Sequence, residues 1–482
     1  MLLLSNMRHT FSSKVYLFAS LLWVLCSLTA QGQSVVVTPL HTFNTRSDTG
    51  SPFRTYITSL LIGKFDGSLY GTTYADQTNG TIFTINTDGS GYSVLHTFAP
   101  ADEAITPSGY DPSLGLPEPR VIQGSDGHLY GTTPSGGAFG QGTIFRLNPN
   151  GTSYTVIHDF DSDGGPANIM QASDGAFYGA GSTIFRIDGN GNNYTALHFL
   201  DGNTEGYSPY GTLLQANDGA LYGTTCAGGG TNNGGSLFTI KTNGTGFKVL
   251  HTFGNNEGAR PLGSLIQGSD GALYGTTSQN GTNGNLSGSG AIFKINTDGN
   301  NYQILHVFAG GSNDGSLPIG SLVEGANHVL YGTTYSGGNG NTYGTIYKIG
   351  FDGSSYAPLY FFTNNISSPL GTKPLAGLVI GPTQGNVGVL YGATSQGPTT
   401  SLGAATVFAM LVNPPLSITP VVSQTGSNQA TLFWPAWAAK FSLQSTTNPA
   451  SGNWTSVTDA VPVYGAQVTT TNPAVFYRLV SP

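Results

Sequence analysis

The phrase Leu-Tyr-Gly-Thr-Thr, or a near copy, recurs seven times, with its tyrosine at Tyr70, Tyr130, Tyr178, Tyr222, Tyr274, Tyr331 and Tyr391. The intervals between successive tyrosines are 60, 48, 44, 52, 57 and 60 residues. A period of this size holds about four short strands, as in a propeller blade. Residues 263–308 show the unit in full. Ser264-Leu265-Ile266-Gln267 turns through Ser269-Asp270-Gly271 into Leu273 to Thr277, and Ala291 to Ile295 turns through Thr297-Asp298-Gly299 into Tyr302 to Phe308. Asp-Gly between β-rich runs is a strong hairpin signal, because glycine accepts positive φ and aspartate bonds back to the local backbone.

The fourth strand of each unit is marked by His41, His96, His158, His198, His251, His306 and Tyr360. The first of these precedes the first copy of the phrase, and the last unit stops after its third strand, Ala405 to Met410. The segment from Ser34 to Phe43 is therefore expected to supply the missing fourth strand, closing the ring and leaving no open edge. The prediction is an all-β chain: a seven-bladed β-propeller over 33–412, closed by an N-terminal strand. Within such a blade the tight Asp-Gly turns share one face, and the variable loops, such as Pro134 to Gly142 and Cys226 to Gly235, share the other. A rigid scaffold with variable loops on one face concentrates ligand contacts there.

After Asn413-Pro414-Pro415 the repeat ends, and residues 416–482 alternate short apolar runs with turn residues, as expected of a small immunoglobulin- or fibronectin-like β-sandwich. At the other end, Arg8 and Lys14 precede an apolar run from Val15 to Leu28 and the small-residue stretch Ala30-Gln31-Gly32, so 1–32 read as a secretory signal peptide. The apolar run is shorter than the ~20 residues a membrane span needs. Export, to the extracellular space or cell surface, is expected, with no stable membrane span after signal removal. Only Cys226 then remains of two cysteines, so no intramolecular disulfide can form.

Charged residues are 8% of the chain and the net charge of -8 comes with no basic run, which excludes a nucleic-acid partner. Aromatic residues at 11% supply the buried surface that low-charge disordered chains lack. The stretch from Gly263 to Gly299, G-S-L-I-Q-G-S-D-G-A-L-Y-G-T-T and then G-A-I-F-K-I-N-T-D-G, resembles the choice-of-anchor tandem repeat GloVer-containing proteins over about residues 34–412. That resemblance implies an exported bacterial protein and brings no defined activity. The C-terminal part, with Trp434-Pro435, Phe441 to Ser445, Trp454 and Phe476 to Leu479, resembles terminal modules of large secreted bacterial proteins.

The histidine series does not form a metal site, because outer strands of successive blades lie well over 10 Å apart while zinc needs ligands at about 2 Å; a side chain bonding to the adjacent loop is expected instead. Of the 24 acidic residues, 12 are Asp directly before Gly and serve turns. Asp161-Ser162-Asp163-Gly164 and Asp188-Gly189-Asn190-Gly191-Asn192 alternate oxygen donors as calcium favours, yet both lack the closing Glu, and turn formation accounts for them. No cofactor is called for. Tyrosines on the variable loops offer flat surfaces for stacking on sugar rings or packing against a protein. The candidate ligand-binding set is Tyr74, Tyr110, Asp111, Tyr207, Tyr210, Glu257, Arg260 and Tyr335. The function expected is that of a monomeric, non-catalytic binding or scaffold protein engaging a polysaccharide or surface protein. The alternative is a carbohydrate-active lyase or hydrolase using loop carboxylates, for which a pair about 5 to 10 Å apart is required.

Overall fold

Four of the five positions of the recurring phrase, which forms the second strand of a blade, have a physical task of their own. The leucine is buried: Leu69, Leu129, Leu221, Leu273 and Leu330 are fully enclosed. The tyrosine hydroxyl donates to the turn aspartate four residues earlier, Tyr70 to Asp66 at 2.6 Å, Tyr130 to Asp126, Tyr178 to Asp174 and Tyr274 to Asp270 at 2.8 Å, and Tyr222 to Asp218 at 2.7 Å. The same aspartates accept the backbone N–H two residues on, as Asp270 does from Ala272 at 3.1 Å. The glycine makes room for the third-strand aromatic ring: a Cβ at Gly223, Gly275 or Gly392 would lie 2.5 Å from Cζ of Phe238, Phe293 or Phe408. The final threonine bonds across to the start of the third strand, Thr73 to Thr81 at 2.7 Å and Thr334 to Thr345 at 2.8 Å.

The computed structural model describes residues 35–43, 55–75, 78–99, 120–161, 168–254, 257–279, 289–338, 343–363, 370–381, 389–396 and 405–412, and six strands between 419 and 480. Residues 1–32 lie outside the described part. Seven antiparallel sheets form the propeller. Blade 1 comprises Thr55–Ile62, Leu69–Ala75, Thr78–Ile85 and Ser93–Thr97; blade 2, Arg120–Gln123, Leu129–Thr133, Thr143–Leu147 and Thr155–Asp159. Blade 3 comprises Asn168–Gln171, Phe177–Ala180, Thr183–Ile187 and Thr195–Phe199; blade 4, Leu214–Gln215, Leu221–Thr225, Ser236–Ile240 and Lys248–Thr252. Blade 5 holds Ile266–Gln267, Leu273–Thr277, Ala291–Ile295 and Gln303–Val307; blade 6, Val323–Glu324, Val329–Thr334, Thr345–Gly350 and Ala357–Phe361. In blade 7, Val35–Phe43 pairs Ala405–Val412, which pairs Val389–Gln396, itself flanked by Val379–Ile380 and Thr372–Pro374. In blade 6 a short 3-10 turn, Ala326–His328, replaces the first Asp-Gly turn.

Apolar cores lie between blades. Tyr222, Leu237 and Phe253 of blade 4 pack on Leu265, Leu273, Phe293 and Ile295 of blade 5, and Tyr130, Ile144 and Phe160 of blade 2 pack on Ile169, Phe177, Phe185 and Ile187 of blade 3. Burying each such side chain is worth about 1.5–3 kcal/mol. Two polar devices fix the register of neighbours. The first-strand glutamine reaches the preceding blade's turn: Gln123 accepts from Lys64 N at 2.6 Å, Gln171 from Ser125 N at 2.7 Å, and Gln215 and Gln267 from Ser173 N and Asn217 N at 2.8 Å. Glu324 does the same for Ser269 N at 2.9 Å. At the outer edge, each described histidine of the series stacks on an aromatic ring of the next blade, with centroids 3.8 Å apart for His41–Tyr92, His198–Phe247 and His251–Tyr302, and 3.5 Å for His306–Tyr356.

A second compact unit contains the C-terminal strands. It has two three-stranded antiparallel sheets. One orders Thr419–Val421, Gln429–Phe433 and Gly465–Thr469; the other orders Thr455–Ser456, Ser442–Thr446 and Phe476–Val480.

Candidate functional site

On the loop face, the segments entering the inner strands converge. Tyr56 of blade 1, Leu262 of blade 5, Ile319 of blade 6 and Leu375 of blade 7 form one buried cluster with Cys226 and Tyr335, from the loops of blades 4 and 6, and with the partly buried Tyr210, Ala227 and Leu317. The mouth on this face is thus lined by an apolar cluster drawn from five blades. Burial pushes the Cys226 thiol up to about 11, with Arg260 pulling weakly the other way, so it is a protonated packing group at neutral pH.

The predicted residues are divided among different settings. Tyr335 is only 5% exposed and belongs to the mouth cluster, with Lys373 Nζ 5.0 Å from its ring centroid, so it presents no free ring surface. Its loop folds back over the apolar mouth, where burying the ring is favourable. Tyr210 is partly buried against the same cluster, and burial raises its hydroxyl pKa. Tyr207 is 48% exposed and held by backbone bonds to Ala227 at 2.8 and 3.3 Å. Arg260 adopts φ +55° and bonds through its backbone to Gly234 at 2.8 Å and Ser278 at 3.0 Å. Glu257 lies 3.5 Å from His251 Nε2, and its carbonyl accepts from the Tyr302 hydroxyl. Tyr74 sits on Leu69–Ala75 opposite Tyr56. Tyr110 and Asp111 lie outside the described residues.

Among the described residues, two loop carboxylates are engaged by the protein itself. Glu205 bonds to His198 Nε2 at 2.8 Å and to Asp201 N at 2.9 Å. Asp314 accepts from His306 at 3.2 Å, from Ala309 N at 2.8 Å, from Gly315 N at 2.7 Å and from the Tyr356 hydroxyl. Burial opposes the charge on Asp314, but these donors prevail and hold its carboxyl below the usual range. Tying outer strand to connecting loop, these pairs give the expected loop bonding at His198 and His306, while the interblade stacking extends to every described histidine of the series. Burial pushes the His251 imidazole down to about 4. Among the described residues no group of three or more His, Cys, Asp or Glu side chains converges as a metal site.

Two features escaped the reading of the sequence. On the turn face, a shallow cleft of about 380 Å³ between blades 2 and 3 is lined by Asp126, Tyr130, Arg146, Gln171, Phe177 and Asp188. It opens because Gly189 stands where other units carry Thr87, Pro149, Thr242, Thr297 or Phe351; a Cβ there would lie 3.0 Å from the Tyr130 hydroxyl. Its polar walls are already paired, Asp126 with Tyr130 and Asp188 with Arg186 at 3.0 Å. On the loop face, blade 3 has only Gly181 and Ser182 between its second and third strands, whereas blade 2 has residues 134–142 there and blade 4 has 226–235. The shortened phrase Phe177-Tyr178-Gly179-Ala180-Gly181 is the signal that was available.

A family model described as Gloeobacter/Verrucomicrobia repeat matches residues 24–183 and 120–286. No curated protein matches the chain. Among solved structures, similarity extends to an oligogalacturonate lyase from Vibrio parahaemolyticus, at 11% identity and TM-score 0.48, covering 80% of this chain and 99% of the lyase. YCF48 from Cyanidioschyzon merolae is similar at 10% identity and TM-score 0.46, covering 77% and 98%. PorZ, a surface component of the type-IX secretion system of Porphyromonas gingivalis, is similar at 14% identity and TM-score 0.44, covering 86% and 54%. At these values the likenesses carry no argument about function. Among the described residues no helix is long and apolar enough to cross a membrane.

Proposed function

Because this chain belongs to the Gloeobacter/Verrucomicrobia repeat family, a family with no reaction attached to it here, we propose its role from its own surfaces: an exported, non-catalytic binding protein of the cell surface or extracellular space. Its loop face engages a polysaccharide. The observation that carries this reading is the commitment of two described loop carboxylates, Glu205 and Asp314. A glycosidase-type acid must keep its proton near neutral pH, whereas Asp314 is held ionised by four donors and Glu205 is spent on His198 and the Asp201 backbone. We read the pairing of Val35–Phe43 with Ala405–Val412 as the closure of the ring, and the two C-terminal sheets as a small sandwich that spaces or attaches the propeller.

The test is a polysaccharide array probed with the full chain, following retention together with release of reducing or unsaturated ends. Retention without product supports the reading. Product release, abolished by Glu205→Gln or Asp314→Asn, overturns it in favour of a lyase or hydrolase, and capture of a protein in place of any glycan overturns the choice of ligand.

A further inference from the structure

The absent loop of blade 3 leaves a step in the loop face between the nine-residue loop of blade 2 and the ten-residue loop of blade 4. Three of the five exposed large apolar side chains of the described residues lie on elements bordering that step: Phe139 at 62%, Phe199 at 65% and Tyr207 at 48%. Phe139 is on the blade 2 loop, Phe199 ends the outer strand of blade 3, and Tyr207 is on the segment leading to blade 4. Side chains alternate along a strand; since His198 stacks on Phe247 of blade 4, Phe199 faces the blade 2 side.

We propose that this step is the docking place of a polysaccharide chain that carries no acidic groups, an inference that rests on the binding function above and assigns it an address. The backbone at or beside each ring is anchored. Ala138 N donates to Asp159 at 2.8 Å beside Phe139, Leu200 N to Ser182 O at 3.1 Å beside Phe199, and Tyr207 is paired with Ala227. Flat rings exposed on an anchored backbone suit the apolar faces of sugar rings. On the segment that carries Tyr207, Asn203 is exposed, and its side-chain amide offers a donor and an acceptor suited to hydroxyl groups. No Lys or Arg occurs in residues 134–142, 155–161, 180–183 or 195–207, so these segments have no fixed cation for a uronate or sulfate, and their carboxylates repel one. The buried hydroxyl of Thr183, left without a partner because Gly181 replaces the last threonine of the phrase, shows that the shortened hairpin gives up a bond its neighbours make.

The experiment measures retention of the full chain on neutral and amino-sugar polysaccharides and on polyuronate and sulfated ones. It compares the unaltered chain with the combined Phe139→Ala, Phe199→Ala and Tyr207→Ala variant, with a chain in which Gly181-Ser182 is replaced by the residue 134–142 loop, and with a Phe65→Ala and Val307→Ala control away from the step. Far-UV circular dichroism checks that each is folded. Expected is retention on non-acidic glycans, weakened at least tenfold by the triple change and by the filled step, with the control unaffected. Equal retention by the triple variant overturns the address while leaving the binding function standing. Retention on acidic glycans alone overturns the ligand class, and retention of no glycan by the unaltered chain overturns both.

Discussion

Gly275→Ala isolates the close approach between strands of one blade. The added Cβ would sit 2.5 Å from Cζ and 2.9 Å from Cε1 of Phe293 and 3.0 Å from Cδ2 of Leu265. Unstrained carbon pairs lie about 3.5–4.0 Å apart, so the ring must retreat by about 1 Å. Phe293 is fully buried, with the Phe253 ring centroid 5.2 Å away on the blade 4 side and the Tyr302 ring centroid 5.7 Å away, so its retreat presses on neighbouring rings. Overpacking of this kind costs about 1–3 kcal/mol, and three simultaneous overlaps put it near the upper end. The better strand propensity of alanine returns about 0.5–1 kcal/mol, leaving a net loss of about 2 kcal/mol. Gly271→Ala, in the same blade, is the reference: its φ is +85° and nothing lies within 4 Å, so only the roughly 1 kcal/mol of left-handed strain applies. Urea denaturation followed by circular dichroism should show the Gly275 variant losing about twice what the Gly271 variant loses. Adding Phe293→Leu to Gly275→Ala should restore part of the loss, a coupling that a double-mutant cycle reads directly. Equal losses in the two alanine variants, or purely additive effects in the double variant, would refute the steric account.

Burial lowers the His251 pKa to about 4, against about 6.5 in the unfolded chain, so the unfolded state binds the proton first. Its contribution is present above pH 6.5 and lost as pH falls toward 4, amounting to about 3 kcal/mol; urea midpoints from pH 7.5 to 4.5 should fall more steeply for the native chain than for His251→Gln, and parallel curves would contradict this. Cys226, buried and with its thiol pushed up to about 11, should resist a thiol-reactive disulfide reagent at pH 8 in the folded chain and react fully in denaturant; prompt labelling of the folded protein would show that the mouth cluster is open. Gln267→Ala removes the acceptor for Asn217 N and the donor to Gly271 O and should cost about 1–2 kcal/mol, since Asn217 and the turn are exposed and water partly replaces both bonds, while Gln267→Glu keeps the acceptor but sets an oxygen against the Gly271 carbonyl and should cost about 1 kcal/mol. Thermal unfolding of the two variants checks the difference.

The blade plan was legible because its determinants are local. Turn aspartate and tyrosine are four residues apart, the glycine and the ring it accommodates belong to one hairpin, and both recur often enough to be read by comparison within the chain. What escaped was set by residues distant in sequence. The partner of His198 is Phe247, a residue of the following blade, and nothing in the spacing of the histidines announces a stack. Tyr335 follows a strand and opens a loop, which places it at the surface by sequence; its burial depends on Leu375, Tyr56 and Leu262, which reach it only when the ring forms. Conversely, Phe139 and Phe199 interrupt no pattern, and their exposure follows from a loop that blade 3 does not have.

The glutamine, or Glu324 in blade 6, that satisfies a turn of the preceding blade means that the repeats of blades 1 to 6 are not self-sufficient modules. Copies 2 to 6 each carry the finishing piece of the copy before them, and copies 1 to 5 rely on the next copy for their own. A tandem duplication inserted in phase brings its own mating parts on both sides, so copy number can change without a new interface having to arise. A break out of phase strands one donor at one cut and one acceptor at the other. Such a chain is open to growth and shrinkage in whole units during its history, and resistant to trimming within one.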